Sequence, residues 1–284
     1  MAENAQPPLA PTLIEADDQV DEGLGSDDDA SDTTSLKSSV INFEIENGRR
    51  YHSFRKGAYA FPNDDDELDR MDLEHHIWLL LLGGNHYIAP LVEPLKILDL
   101  GTGTGLWAIE VADKLPSAHV IGSDLSPVQP QLVPPNCEFL VDDFEQEWMW
   151  QDNTFDLIHG RLLLASVTDY SKLFQRAFAA LKPGGYLEIH DIDPESYSDD
   201  GTLTSESNSV VWGKLFKEGC AKAGRAILPL EDYKRLMEDA GFTEVQEMIQ
   251  KRPHNAWPKN KGLKRLGMVR TDCTAGSRSL VELT

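Results

Sequence analysis

The chain has 284 residues, 40% hydrophobic and 26% charged, with a formal net charge of -22 at pH 7. That length holds one large domain or two small ones, and so anionic a chain repels phosphate backbones, which argues against nucleic acid as a direct partner. Three widely spaced cysteines, none forming a metal-ligand pair, and the lack of any Asn-x-Ser/Thr site argue against a secreted disulfide scaffold.

The first forty residues carry ten acids and one base, Lys37, a net -9 of the total. They have almost no periodic apolar pattern, so residues 1–40 are expected to be a disordered acidic tail. Residues 41–94 read as an ordered extension followed by a helix. The stretch 41–62 mixes aromatic and basic residues, with a basic cluster at Arg49-Arg50 and Arg55-Lys56. A second basic cluster runs from Lys259 to Arg265. Either is a possible nuclear-targeting or docking patch, although a solvated basic face is the simpler reading. Acids at 64–66 and apolar residues at helical spacing (Leu68, Met71, Ile77, Trp78, Leu81) predict a helix over about 65–82, ended by Gly83-Gly84. The longest apolar run, Ile77 to Leu82, is too short to span a bilayer, and no signal peptide is visible. The expected setting is intracellular, in nucleus or cytoplasm, without a membrane.

From 95 to 284 strands and helices alternate. Strands are predicted at 95–100, at His119 to Asp124, at Cys137 to Val141, at Phe155 to His159, at Tyr186 to His190 and at Phe242 to Gln250. Between them lie a helical stripe Leu106, Ile109, Ala112 and Leu115, another over Leu173 to Leu181, and helices at about 205–223 and 230–240. Lys182-Pro183-Gly184-Gly185 reads as a stop and turn before the fifth strand. This order predicts an α/β fold, a doubly wound and mostly parallel sheet, with ligands bound outside the strand carboxyl ends.

The junction Leu98-Asp99-Leu100-Gly101-Thr102-Gly103-Thr104-Gly105 is a buried strand turning into a helix N-terminus. Read from Gly103, the chain also matches Gly-x-Gly-x-x-Ala, with Asp124 further along. A dinucleotide is therefore a rival ligand, and an NAD(P)-dependent oxidoreductase a rival function. Against it, Asp99 would repel a pyrophosphate and suits an ammonium or sulfonium group. Asp142 and Asp143 follow the third strand and offer acceptors to an adenine amine or ribose hydroxyl.

Together these features resemble the seven-strand, Rossmann-like S-adenosylmethionine-dependent methyltransferases. The resemblance implies that Gly101, Thr102 and Gly103 face the methionine part of the cofactor and that Asp124 takes the ribose hydroxyls. It implies that Asp143 flanks the adenine, between Leu125 and Phe144 as apolar walls. Glu46-Asn47-Gly48-Arg49-Arg50-Tyr51-His52, Pro62-Asn63-Asp64, Asp69 to His76, His159-Gly160-Arg161 and Asn255 to Pro258 resemble, more narrowly, the fungal LaeA-like methyltransferases. Those are regarded as regulators of secondary metabolism.

Arg161 is a candidate for the cofactor carboxylate, with a surface salt bridge as the alternative. His75 and His76 point about 100° apart on a helix and cannot share one metal. One is expected to be buried and bonded, the other at a rim; no metal is expected. Tyr51 and His190 are the weak candidates for a catalytic base. The acceptor, a small molecule or a protein, is not written in the sequence. A regulatory binding protein with little or no methyl transfer, engaging protein partners, is the alternative function. The final antiparallel strand of the seven-strand sheet has only Ser279 to Leu283 as a short candidate. The expectation is an incomplete sheet, less stable than that of a relative with the full C-terminus.

Overall fold

The computed structural model describes residues 43–276, except 56 and 94, and for 271–276 the backbone alone. The acidic segment 1–40 and the candidate seventh strand Ser279 to Leu283 lie outside the described residues.

A short hairpin, β1 (Glu44–Glu46) and β2 (Arg49–Tyr51), comes first, followed by α1 (Asp65–Leu81). Asp64 caps α1 by accepting from the Glu67 backbone N–H at 3.2 Å, and its carboxylate also takes two bonds from Arg49, at 2.6 and 2.7 Å. The Arg50 side chain bonds Asn63. Part of the first basic cluster is thus committed internally, locking the hairpin to the start of the helix, rather than forming a solvated face.

The central sheet is parallel, in the order β5-β4-β3-β6-β7. Its strands are β3 (Lys96–Leu100), β4 (His119–Asp124), β5 (Cys137–Val141), β6 (Phe155–Arg161) and β7 (Leu181–His190). Helix α2 (Leu106–Lys114) joins β3 to β4, and α3 (Tyr170–Ala180) joins β6 to β7. Alternation along β3 covers both faces of the sheet. Ile97 packs with Trp107 and Val111, whereas Leu98 and Leu100 pack with Phe174 and Ala177. The chain runs outward from β3 through β4 to β5, then returns to the other side of β3 for β6 and β7. The glycine turn after β3 therefore stands where the strand order reverses, which is where ligands enter such sheets.

Three departures from the sequence-based expectation follow from pairing and packing. Lys182 to Gly185 do not precede the fifth strand but bulge within β7, between the pairs Phe155↔Leu181 and Leu157↔Tyr186. Residues 242–250, expected as a sixth strand, form none. A strand exists through its ladder, and among the described residues no edge pairs with this stretch. Phe242 packs edge-on against Phe178, while Met248 and Ile249 stay 60% and 61% exposed. Third, the stretch that opens in the second basic cluster forms α6 (Lys261–Gly276), which packs on α1 through Leu266 and Ile77. The helices α4 (Asn208–Lys222) and α5 (Leu230–Ala240) fall where periodicity placed them, α5 ending at Gly241 with φ +111°.

Candidate functional site

The site grows from the turn after β3. Gly101, Gly103 and Gly105 all have positive φ, at 64°, 59° and 81°, in the left-handed region that favours glycine. At Gly105, the N-cap of α2, a side chain would also strike the Phe139 ring. The turn is half-buried at Gly101, Thr102 and Thr104 and buried at Gly103 and Gly105, and its backbone is pinned by its neighbours. The Thr102 N–H donates to the Ser123 carbonyl at 3.0 Å, and the Gly103 N–H to Asp124 Oδ2 at 2.9 Å. Gln129, from the loop after β4, donates to the Gly103 carbonyl at 2.7 Å.

The acids that end the strands gather here. Asp124 also accepts from the Ser126 N–H at 2.9 Å, and burial raises its carboxyl to about 6. Leu125 follows it directly. Asp142 accepts from the N–H of Asp143, and Asp143 accepts from the Glu145 N–H and from Gln146. Asp143 also faces Arg55 at 3.8 Å. Phe144 lies against the space over Gly101, where an added Cβ would come within 3.7 Å of its ring.

Asp99 is 3% exposed and stands behind the turn. One oxygen accepts from the Thr102 hydroxyl at 2.6 Å and the other pairs with His159 Nδ1 at 2.7 Å. Burial raises its carboxyl to about 6 and pushes the His159 imidazole well down, so the histidine is neutral and donates through Nδ1. Trp107 stacks on His159 with centroids 3.8 Å apart. Both Asp99 oxygens are therefore engaged, and one of them shapes the turn through Thr102.

The N-terminal segments cover the same edge. Asn63 donates to the Ser126 hydroxyl at 3.2 Å. The Met71 thioether lies where a Cβ on Gly103 would come within 3.4 Å. Tyr51 is half-buried in the hairpin, which Asn63 links to the chain after Asp124. His190, at the end of β7, is buried, bonded to Glu188 at 2.7 Å and stacked on Trp78. Its Nδ1 has no partner among the described residues.

Arg161 ends β6 next to the turn. It donates to His75 Nδ1 at 2.9 Å and makes no ion pair with a carboxylate among the described residues. His75 is buried and His76 half-buried, as their positions on the helix required. His75 and His86 both place Nε2 on Glu110, at 3.1 and 2.5 Å. Glu110, His86 and Gln129 stand in no motif of the sequence, Glu110 showing only as an acid within the apolar stripe of α2, whereas Arg55 and Met71 stand there as members of a basic cluster and of a helical stripe and not as site residues.

Residues 73–247 match the methyltransferase domain family. The chain is 39% identical over 253 residues to methyltransferase pytC of Aspergillus terreus, covering 88% of this chain and 78% of that protein. It is 39% identical over 230 residues to the secondary metabolism regulator LAE1 of Cochliobolus heterostrophus, covering 78% and 75%. It is 40% identical over 222 residues to the protein-methionine methyltransferase laeA of Emericella nidulans, covering 77% of this chain and 59% of that one.

Proposed function

The chain belongs to the methyltransferase domain family, and from that premise we propose that it moves a methyl group from S-adenosylmethionine to an acceptor at the edge of the sheet around Gly101–Gly105. The family sets aside the dinucleotide reading. The observation that carries the proposal is the convergence of the glycine turn, Asp124 and Asp143 at the point where the strand order reverses.

These residues fit that cofactor. Gly101, Thr102 and Gly103 would lie along its methionine part, and the guanidinium of Arg161, which makes no ion pair among the described residues, suits a carboxylate. Asp124 would take the ribose hydroxyls. Asp143 would flank the adenine, between Leu125 and Phe144. Asp99 would act indirectly, by holding Thr102. Segment 41–94 caps the site, a role supported by Asn63 on Ser126, Arg55 near Asp143 and Met71 over Gly103. The methyltransferase family match, residues 73–247, begins inside that capping segment and runs through the sheet.

When bound, S-adenosylmethionine supplies a methyl group already activated by its sulfonium. The protein then has to align the acceptor and exclude water. A base is needed only for an acceptor that must lose a proton. His190 Nδ1 and Tyr51 are the candidates for that task. Tritiated-methyl transfer to cell-extract fractions, with the protein itself as an acceptor control, tests the activity. Labelling of a fraction is the expected result, and none in any fraction counts against the enzyme.

A regulatory reading has its own support, since LAE1 is described as a secondary metabolism regulator. The name of the Emericella relative makes a protein acceptor or partner as eligible as a small molecule. The place of action is then nuclear or cytoplasmic. Among the described residues no helix is long and apolar enough to cross a membrane. A cofactor-dead Asp124→Ala chain that keeps full cellular function would favour binding over catalysis.

A further inference from the structure

Arg161 is a half-buried guanidinium whose single side-chain hydrogen bond goes to a neutral ring. Arginine carries five N–H donors and no acceptor, so its partner, His75 Nδ1, must be the lone-pair nitrogen. The proton of His75 is then on Nε2, which points at Glu110 Oε2. The same logic holds for His86, whose Nδ1 faces the Lys114 ammonium at 2.8 Å and whose Nε2 faces Glu110. The cation on each outer nitrogen and the Glu110 carboxylate on each inner one thus favour the same tautomer in both rings.

His75, His86 and Glu110 have their ligand atoms within 4.8 Å of one another and are residue types that hold divalent metals. The tautomers argue against that use. A metal on either Nε2 would need the proton to sit on Nδ1, against a guanidinium or an ammonium that cannot accept it. The cluster is better described as a support for Arg161.

We infer that His75 and Glu110 are positioning residues that aim Arg161 at the carboxylate of the ligand's amino-acid end. This rests on the cofactor reading above. Leu100 pairs with Gly160, so the next residue, Arg161, stands beside Gly101, and Leu163 packs where a Gly101 side chain would be. The nearby Asp99 acts on Arg161 through its charge but makes no hydrogen bond to it, its oxygens being held by Thr102 and His159. A carboxylate in the place of His75 would pair with the guanidinium and rival the ligand. A neutral imidazole holds the guanidinium without cancelling its charge, and Glu110 keeps that imidazole in the accepting tautomer. Burial first, then the Arg161 charge, lower the His75 imidazole to about 4, so it stays neutral across the working range.

The test compares two ligands by isothermal titration: S-adenosylmethionine and its decarboxylated analogue. Wild type is expected to bind the first more tightly. His75→Leu, which removes the acceptor, is expected to weaken S-adenosylmethionine about tenfold or more, the scale of a charge-assisted hydrogen bond. It should leave the decarboxylated analogue unchanged. His75→Asn, which keeps an oxygen near the Nδ1 position, should recover most of the loss. Glu110→Ala, at a partly exposed carboxylate that the core can spare, should reproduce the selective loss even if His75→Leu does not fold. Equal weakening of both ligands, or of neither, overturns the positioning role. Wild type that binds neither ligand overturns the cofactor reading along with it.

Discussion

Asp124 Oδ2 accepts the Gly103 N–H at 2.9 Å across 21 residues of sequence, tying the end of one strand to the turn that follows its neighbour. The bond makes Asp124 both a candidate ligand group and a clamp on the turn. Asp124→Ala should therefore raise the dissociation constant for S-adenosylhomocysteine about tenfold or more. It should also cost about 1–3 kcal/mol of stability by leaving the Gly103 and Ser126 amides unpaired. Titration calorimetry and urea denaturation check the two effects separately. Undiminished affinity in a folded variant contradicts the assignment.

Gly105 caps α2 at φ +81°, with the Phe139 ring against its Cα. Gly105→Ala adds left-handed strain and an overpacked contact, together about 2–4 kcal/mol. Chemical denaturation should show that loss, and the Gly105→Ala, Phe139→Leu double variant should recover part of it. No recovery would mean that strain alone sets the cost.

Burial raises the Asp99 carboxyl to about 6, against an ordinary 3.8. Between those pH values the folded chain binds the extra proton, so ionisation of Asp99 erodes stability as pH rises through 6. Asparagine can accept from His159, donate to the Thr102 hydroxyl and has no proton to lose. Relative to wild type, Asp99→Asn should gain about 2–3 kcal/mol in unfolding free energy between pH 4 and pH 8. Urea titrations of both proteins at the two pH values decide the matter, and a gap independent of pH contradicts it.

Asp64 has the opposite sign. The bond from Arg49 holds its carboxyl at about 2, below the ordinary 3.8, so its contribution is complete above pH 3.8 and lost as pH falls towards 2. Asp64→Ala should lower stability by about 1–2 kcal/mol at pH 7 through the lost cap and ion pair. The deficit should shrink near pH 2. Thermal melts across that range measure it.

What could be read in the sequence was what is local. Ile97 and Leu98 sit in a run buried on both faces, Asp64 precedes a helix with acids in its first turn, and Gly101–Gly105 separates a strand from a helix. Each signal lies within about one element, where periodicity and turn chemistry act. The misses depend on partners distant in sequence. Phe242 to Gln250 has strand composition, but composition does not supply a neighbouring edge. Arg161 and His75 are 86 residues apart, and Glu110 is 35 from His75. Nothing in their local patterns announces that they meet. Asp99 is legible as an acid beside the turn, but its pairing with His159, 60 residues on, is not.

The central claim is that the glycine turn holds S-adenosylmethionine. Isothermal titration of the purified chain with S-adenosylhomocysteine and with NAD, in parallel, tests it most directly. Saturable one-site binding of S-adenosylhomocysteine, lost in Asp124→Ala, with no heat from NAD, is the predicted result. Binding of NAD without binding of S-adenosylhomocysteine would contradict the account.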